Sequence, residues 1–118
     1  MDYDKLYKEI MNLDPLIRFA TILNQEGEKI AGGPRANIPS MLTPDEVKMS
    51  MYYASRRWDN RGNLSHRIGD AKYSMTAYEK VNQITIPVDK KNLLLISTEP
   101  SVKPLQIIDK IFELIKNN

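Results

Sequence analysis

The side chains with the most concentrated chemical potential in this chain are arginines. Arg56, Arg57, Arg61 and Arg67, followed by Lys72, crowd one region with only Asp59 and Asp70 against them. Such a cluster attracts phosphates, acidic lipid headgroups or an acidic protein surface; equally, charge clusters of this kind are commonly solvent-facing. Other chemistry is scarce. The chain has no cysteine, which removes disulfides, thiolate nucleophiles and cysteine-held metal centres together. Its single histidine, His66, excludes an all-histidine metal site and has no evident nucleophile beside it, so it reads as a loop or packing residue. Acids are plentiful, but none pairs with a base, nucleophile or metal-ligand set. Gly32-Gly33-Pro34-Arg35 has the glycines of a phosphate cradle, but it lacks the spacing and the lysine–hydroxyl pair of a P-loop, and it reads as a connection. No catalytic, cofactor-binding or metal-binding residue is therefore expected.

The bulk numbers bound the rest. At 118 residues, with 42% apolar and 27% charged residues, the chain reads as one domain spanning 1–118. A net charge of +2 and the lack of an aromatic–basic motif argue against nucleic acid. No apolar stretch approaches the ~20 residues of a membrane span, so no membrane insertion is expected. Met1-Asp2-Tyr3-Asp4 is acidic and carries no apolar segment of a secretory signal. Together with the absence of cysteine, this gives a cytoplasmic expectation.

The arginines need a frame, and the patterning supplies one. Asp2–Asn12 predicts a helix, ended by Asp14-Pro15. Leu16–Leu23 predicts a strand apolar on both faces, hence central or covered twice. Asn24–Gly27 is a turn, Glu28–Gly32 a short return strand, and Gly32-Gly33-Pro34 its blunted end. Thr43-Pro44-Asp45-Glu46 has the residues of a capping box with proline at the first helical position. The helix it opens runs over Pro44–Trp58. Val47, Met51, Ala54 and Trp58 form its core stripe, while Met49, Tyr52 and Tyr53 fall outside. Those three belong either to a wide core face or to contact with a partner, since tyrosine and methionine are enriched in interface cores. Asp59–Arg67 reads as a basic loop. Ala71–Glu79, Val81–Val88 and Leu93–Thr98 then form a three-stranded meander. Pro87 is tolerable there only at a strand end or bulge. The final helix, entered through Pro100–Pro104, carries Leu105, Ile107, Ile108, Ile111, Phe112, Leu114 and Ile115 on its apolar half. Acids on its other half disfavour the rival reading of a membrane-surface helix.

The element order α-β-β-α-β-β-β-α predicts an α+β fold, with one five-stranded antiparallel sheet covered by helices. The most apolar strands, the first and the fifth, belong side by side at its centre, which leaves the second and third at the edges. Strand two is short and ends in glycine and proline. Strand three carries no such defence, and an undefended edge is a liability unless another chain uses it. A homodimer follows, with strand three pairing across a two-fold axis. Its interface is expected to contain Met49, Tyr52, Tyr53, Tyr73, Met75 and Ala77. Arg56, Arg57, Arg61 and Arg67 form a separate anion or partner patch.

This order, with NQEGEKIAGG as first turn and second strand and a meander closing on NLLLISTEP, resembles the roadblock / dynein light chain family of profilin-like fold, in particular its small prokaryotic members. The resemblance implies a homodimer built from the second helix and third strand. It also implies a non-enzymatic scaffold or a regulator of a small Ras-like GTPase, without a cofactor. The loop Gly33–Leu42 and the arginine-rich segment depart from that pattern. The alternative function is a small-molecule or anion sensing domain of the same fold.

Overall fold

The computed structural model describes residues 1–118. Helix α1 (Tyr3–Met11) opens on Asp2, whose side chain accepts from the Lys5 amide. Strands β1 (Ile17–Leu23) and β2 (Lys29–Pro34) form a hairpin. Asn24 shapes its turn by accepting from the Glu26 and Glu28 amides, and Gly27 sits there at φ 79°. Helix α2 (Pro44–Arg61) starts in a full capping box: Glu46 N–H donates to Thr43 Oγ1 and Thr43 N–H to Glu46 Oε1. A 3₁₀ turn (Gly62–Leu64) and a single-turn helix α3 (Ser65–Ile68) continue it. Strands β3 (Ser74–Ala77), β4 (Asn82–Pro87) and β5 (Leu93–Thr98) follow, and α4 (Pro104–Lys116) ends the chain.

The five strands form one antiparallel sheet in the order β2-β1-β5-β4-β3. The two most apolar strands are central neighbours, and β2 and β3 are the edges, as the apolarity of each strand predicts. Pro87 pairs with Leu93 at the last position of β4, beside the turn, where the missing amide costs no interior ladder bond.

Helices cover both faces. On one, α1 and α4 bury Leu6, Ile10, Ile107, Ile108 and Ile111 against Ala20, Ile22, Ile84, Ile86, Leu94 and Ile96. On the other, α2 packs Met51 and Ala54 on Leu23, Leu93 and Leu95, with Phe19, Val47 and Trp58 at the margin. The two sets alternate along β1 and β5 as a pleated strand requires. No helix is long and apolar enough to cross a membrane.

Four expectations are corrected. Strand β2 continues through Gly32 and Gly33 to Pro34, which pairs with Phe19. Glycine is required inside it, because Gly32 lies at φ 97° and a Cβ there would meet the Ala20 carbonyl oxygen at 2.3 Å. Asp59–Arg67 is helical almost throughout rather than a loop, since Gly62 and Asn63 are absorbed in a 3₁₀ turn. Strand β3 is four residues long, not nine: β4 begins opposite Ala77, and at the other end the pairing stops at Ser74–Thr85 although β4 runs on to Pro87. Leu105 is 63% exposed, because at ~100° per residue it stands at the margin of the stripe formed by the buried Ile107, Ile108 and Ile111.

Candidate functional site

The β3 edge and the adjoining side of α2 leave backbone groups and large apolar side chains uncovered next to one another. Ser74–Ala77 pair with β4 on one side only, which leaves the other row of backbone donors and acceptors open. Along β3 only Ser74 is even half-buried. Close by, large apolar side chains stand in solvent: Met49 is 54% exposed, Tyr53 51%, Tyr78 54% and Met75 44%.

Register decides which side each residue takes. Met75 lies opposite Ile84, and Ile84 opposite Ile96, both of the α1/α4 core. Met75 therefore extends that face, as do Ala77 and Tyr73 two residues on either side. The Tyr73 ring reaches Phe112 of α4 with centroids 6.3 Å apart. Thr76 and Tyr78 take the α2 face. Of the six residues expected at one seam, Tyr73, Met75 and Ala77 thus lie on the face opposite α2, which carries Met49, Tyr52 and Tyr53. The strand's alternation is legible in sequence, but its absolute sense is not. Tyr78, which shares the α2 face, was not among the expected residues.

Within α2 the three residues are not equivalent. The Tyr52 Cα packs over the β1–β2 turn, where a Cβ on Gly27 would approach it to 3.0 Å. Ser55 fastens that flank by donating to the Gln25 carbonyl. Met49 and Tyr53 look the other way, toward β4 and β3. The Tyr52 and Tyr53 rings meet edge to face at 5.6 Å.

Helix α2 leans over β1 and β5 and leaves the β4–β3 side of its face bare. The result is a partly open groove of about 700 Å³ between α2, the sheet and the loop 38–42. Phe19, Leu95, Val47 and Tyr53 line it. Gln83 and Ser97, paired across β4 and β5, present polar groups at its floor, and Arg57 and Lys80 stand among its lining residues.

The four arginines are not gathered into one pocket. Arg57 faces the groove, Arg56 pairs with Asp59 at 3.8 Å on an exposed turn of helix, and Arg61 and Arg67 are exposed farther along the helical segment. Arg35, beside the two glycines, is committed to structure. Its Nε donates to the Ile17 carbonyl and its Nη2 to those of Met11 and Asp14, all within 3.0 Å, tying the end of β2 to the end of α1. That geometry holds no phosphate.

Displaced titrations occur at the β4–β5 turn, where α1 is pinned. Burial pushes the Asp89 carboxyl up, but hydrogen bonds from the Tyr3 hydroxyl and from the Lys91 and Asn92 amides outweigh it and hold Asp89 below the usual carboxylate value. The same bond to Asp89, with burial, raises the Tyr3 hydroxyl. This network fastens a helix to a turn. No group of three or more His, Cys, Asp or Glu side chains is placed to hold a metal ion.

Over residues 1–118 the sequence matches the family described as "Family of unknown function (DUF6659)". No curated protein matches it. Solved structures share the architecture. The Roadblock/LC7 domain from Streptomyces avermitilis is 15% identical with a TM-score of 0.76, over 99% of this chain and 94% of that chain. MglB of Myxococcus xanthus is 10% identical with a TM-score of 0.72, over 97% of this chain and 81% of that one. Profilin II of Acanthamoeba castellanii is 9% identical with a TM-score of 0.65, over 98% and 95%. The fold is thus the roadblock, profilin-like one that the element order implies.

Proposed function

The chain belongs to the family of unknown function DUF6659, and we propose that it is a non-enzymatic interaction module that works as a homodimer. In this reading β3 pairs with its own copy across a two-fold axis, so that the two sheets become one. The partner's α2 then lies along the groove beside Met49, Tyr53 and Tyr78. The observation that carries it is the coincidence of an unpaired strand edge with a sheet face only half-covered by its helix. Each feature alone has a bland explanation, but one symmetric partner satisfies both. The backbone groups of β3 gain partners worth ~1 kcal/mol net per hydrogen bond. The half-exposed methionines and tyrosines gain burial at roughly 25 cal/mol per Å².

Self-association of this fold has a precedent in the neighbour described as MglB with tetrameric arrangement. The family resemblance points to a small Ras-like GTPase as the further partner, with the dimer acting as scaffold or regulator. Size-exclusion chromatography with light scattering tests the dimer. The expected mass is twice 13.6 kDa, and Met75→Glu should shift it toward one copy. A strictly monomeric protein at high micromolar concentration would overturn the reading.

The groove favours one second reading, a small-molecule or anion sensing domain. Its volume of about 700 Å³ falls in the range of ligand sites, ~300–1,000 Å³. A thermal-shift screen of nucleotides and carboxylates separates the two, since a ligand at 100 times its dissociation constant adds ~2.7 kcal/mol. Absence of any shift, with a dimer in solution, would leave the first reading alone.

A further inference from the structure

Beyond Trp58, the last residue of α2 packed against the second core cluster, the helical segment leaves the core. From Asp59 to Asp70 every residue except Ser65 is exposed. The side chains of residues 59–70 form no hydrogen bond to the rest of the domain; the contact they do make is the exposed pair of Asp59 with Arg56. The segment is nonetheless ordered as the end of α2, a 3₁₀ turn and α3. It is a helical arm projecting from the body, and Leu64 and Ile68 lie on it one turn apart. They are 58% and 79% exposed, and Ile68 is the most exposed large apolar side chain of the chain. Helix packing and core formation account for neither.

Three exposed cations stand near them, Arg61, Arg67 and Lys72, against Asp70 and an Asp59 already paired with Arg56. Arg61 lies three residues before Leu64, and Arg67 lies between Leu64 and Ile68, so cations stand beside both aliphatic side chains along the arm. A stable protein interface needs about 800 Å² of contact per partner. Two aliphatic side chains on a thin arm offer far less. A lipid surface asks only for a few apolar side chains at the headgroup–acyl boundary and cations at the phosphates.

We propose that this arm is a peripheral docking element for anionic phospholipid membranes. Leu64 and Ile68 enter the boundary region, and Arg61, Arg67 and Lys72 bind the headgroup phosphates. Each basic side chain near such a surface strengthens binding roughly fivefold, and that part weakens as salt screens it.

The experiment is co-sedimentation of the full chain with phosphatidylcholine vesicles, with and without phosphatidylglycerol. Binding is expected only where phosphatidylglycerol is present. The double variant L64D/I68D should lose about tenfold or more of it, and R61E/R67E more than that. Both should keep the wild-type circular dichroism and thermal midpoint, because none of the four side chains is buried. Failure to sediment with phosphatidylglycerol vesicles would overturn the proposal, as would variants that bind like wild type. Retention on immobilised polyglutamate without vesicle binding would overturn it in favour of an acidic protein surface. A change in light-scattering mass for L64D/I68D with vesicle binding intact would overturn it in favour of contact between copies.

Discussion

At the β2 edge the chain closes on itself. Gly32 lets the strand press against β1, Pro34 removes a donor, the Tyr7 hydroxyl donates to the Pro34 carbonyl, and Arg35 clamps the strand's end to α1 through three carbonyls. At the β3 edge nothing comparable is present: four residues, an open row of backbone groups, and exposed Met75, Tyr73 and Tyr78 around them. The faces repeat the contrast. Two helices and a 16-residue cluster seal one, while one helix and a 5-residue cluster seal part of the other. A small domain needs one well-packed face to be stable. What it leaves open elsewhere is then informative about partners, because exposed apolar surface beside an unpaired edge invites aggregation unless something covers it.

The contrast can be broken by mutation, beginning on the sealed face. Ile96 is fully buried there, and Ile96→Ala should destabilise the domain by about 2–5 kcal/mol in chemical denaturation. A loss under ~1 kcal/mol would mean this face is no better packed than the open one. At the closed edge, Gly32→Ala should cost about 2 kcal/mol or more, since a Cβ would sit 2.3 Å from the Ala20 carbonyl oxygen at a φ that L-residues avoid. Met49→Asp combined with Tyr53→Asp probes the open side. Monomer stability should change by no more than ~0.5 kcal/mol per site, whereas self-association should weaken roughly tenfold or more. Lost stability with unchanged association would move these residues into the core.

The smallest effect is expected at the Tyr3–Asp89 pin of the sealed face. Asp89 titrates lower in the folded chain than its ordinary 3.8, so its contribution is complete above that value and disappears as pH falls through the folded one. Tyr3 titrates above its ordinary 10.0, so its contribution is present below that value and lost as pH rises through the folded one. Asp89→Asn should flatten the acid side of the thermal midpoint against pH. Identical wild-type and variant profiles would show that the pin does not couple to folding.

Much of this was legible in the chain. The capping box at Thr43 and Glu46, the turn at Gly27 and the proline-marked starts of both long helices depend on neighbours three or four residues apart, so sequence spacing reports them directly. The centre and edges of the sheet were legible because apolarity tracks the number of covered sides: LLLIST could only be central, and a strand ending in Gly-Gly-Pro only an edge. Less accessible were β3 and the arm. Ala71–Glu79 alternates well enough for nine residues, but its extent depends on pairing: β4 begins opposite Ala77, which leaves Tyr78 and Glu79 without a strand partner, and the ladder stops at Ser74–Thr85. Asn60, Gly62 and Asn63 carry turn propensity that a 3₁₀ turn absorbed within a longer helical segment.

The sequence by itself determined the order and type of the eight principal helices and strands, the two central strands and the absence of any recognisable catalytic pattern, because local spacing and bulk apolarity encode them. Only the tertiary structure decided that Met75 and Tyr73 face α4 while Met49 and Tyr53 face the groove. Alternation assigns residues to two sides without saying which helix covers which, and that is settled only when β3 takes its register on β4. The lean of α2 over β1 and β5, and the groove it leaves, have the same origin: they follow from how side chains of unequal size pack between layers, which no spacing in the chain records.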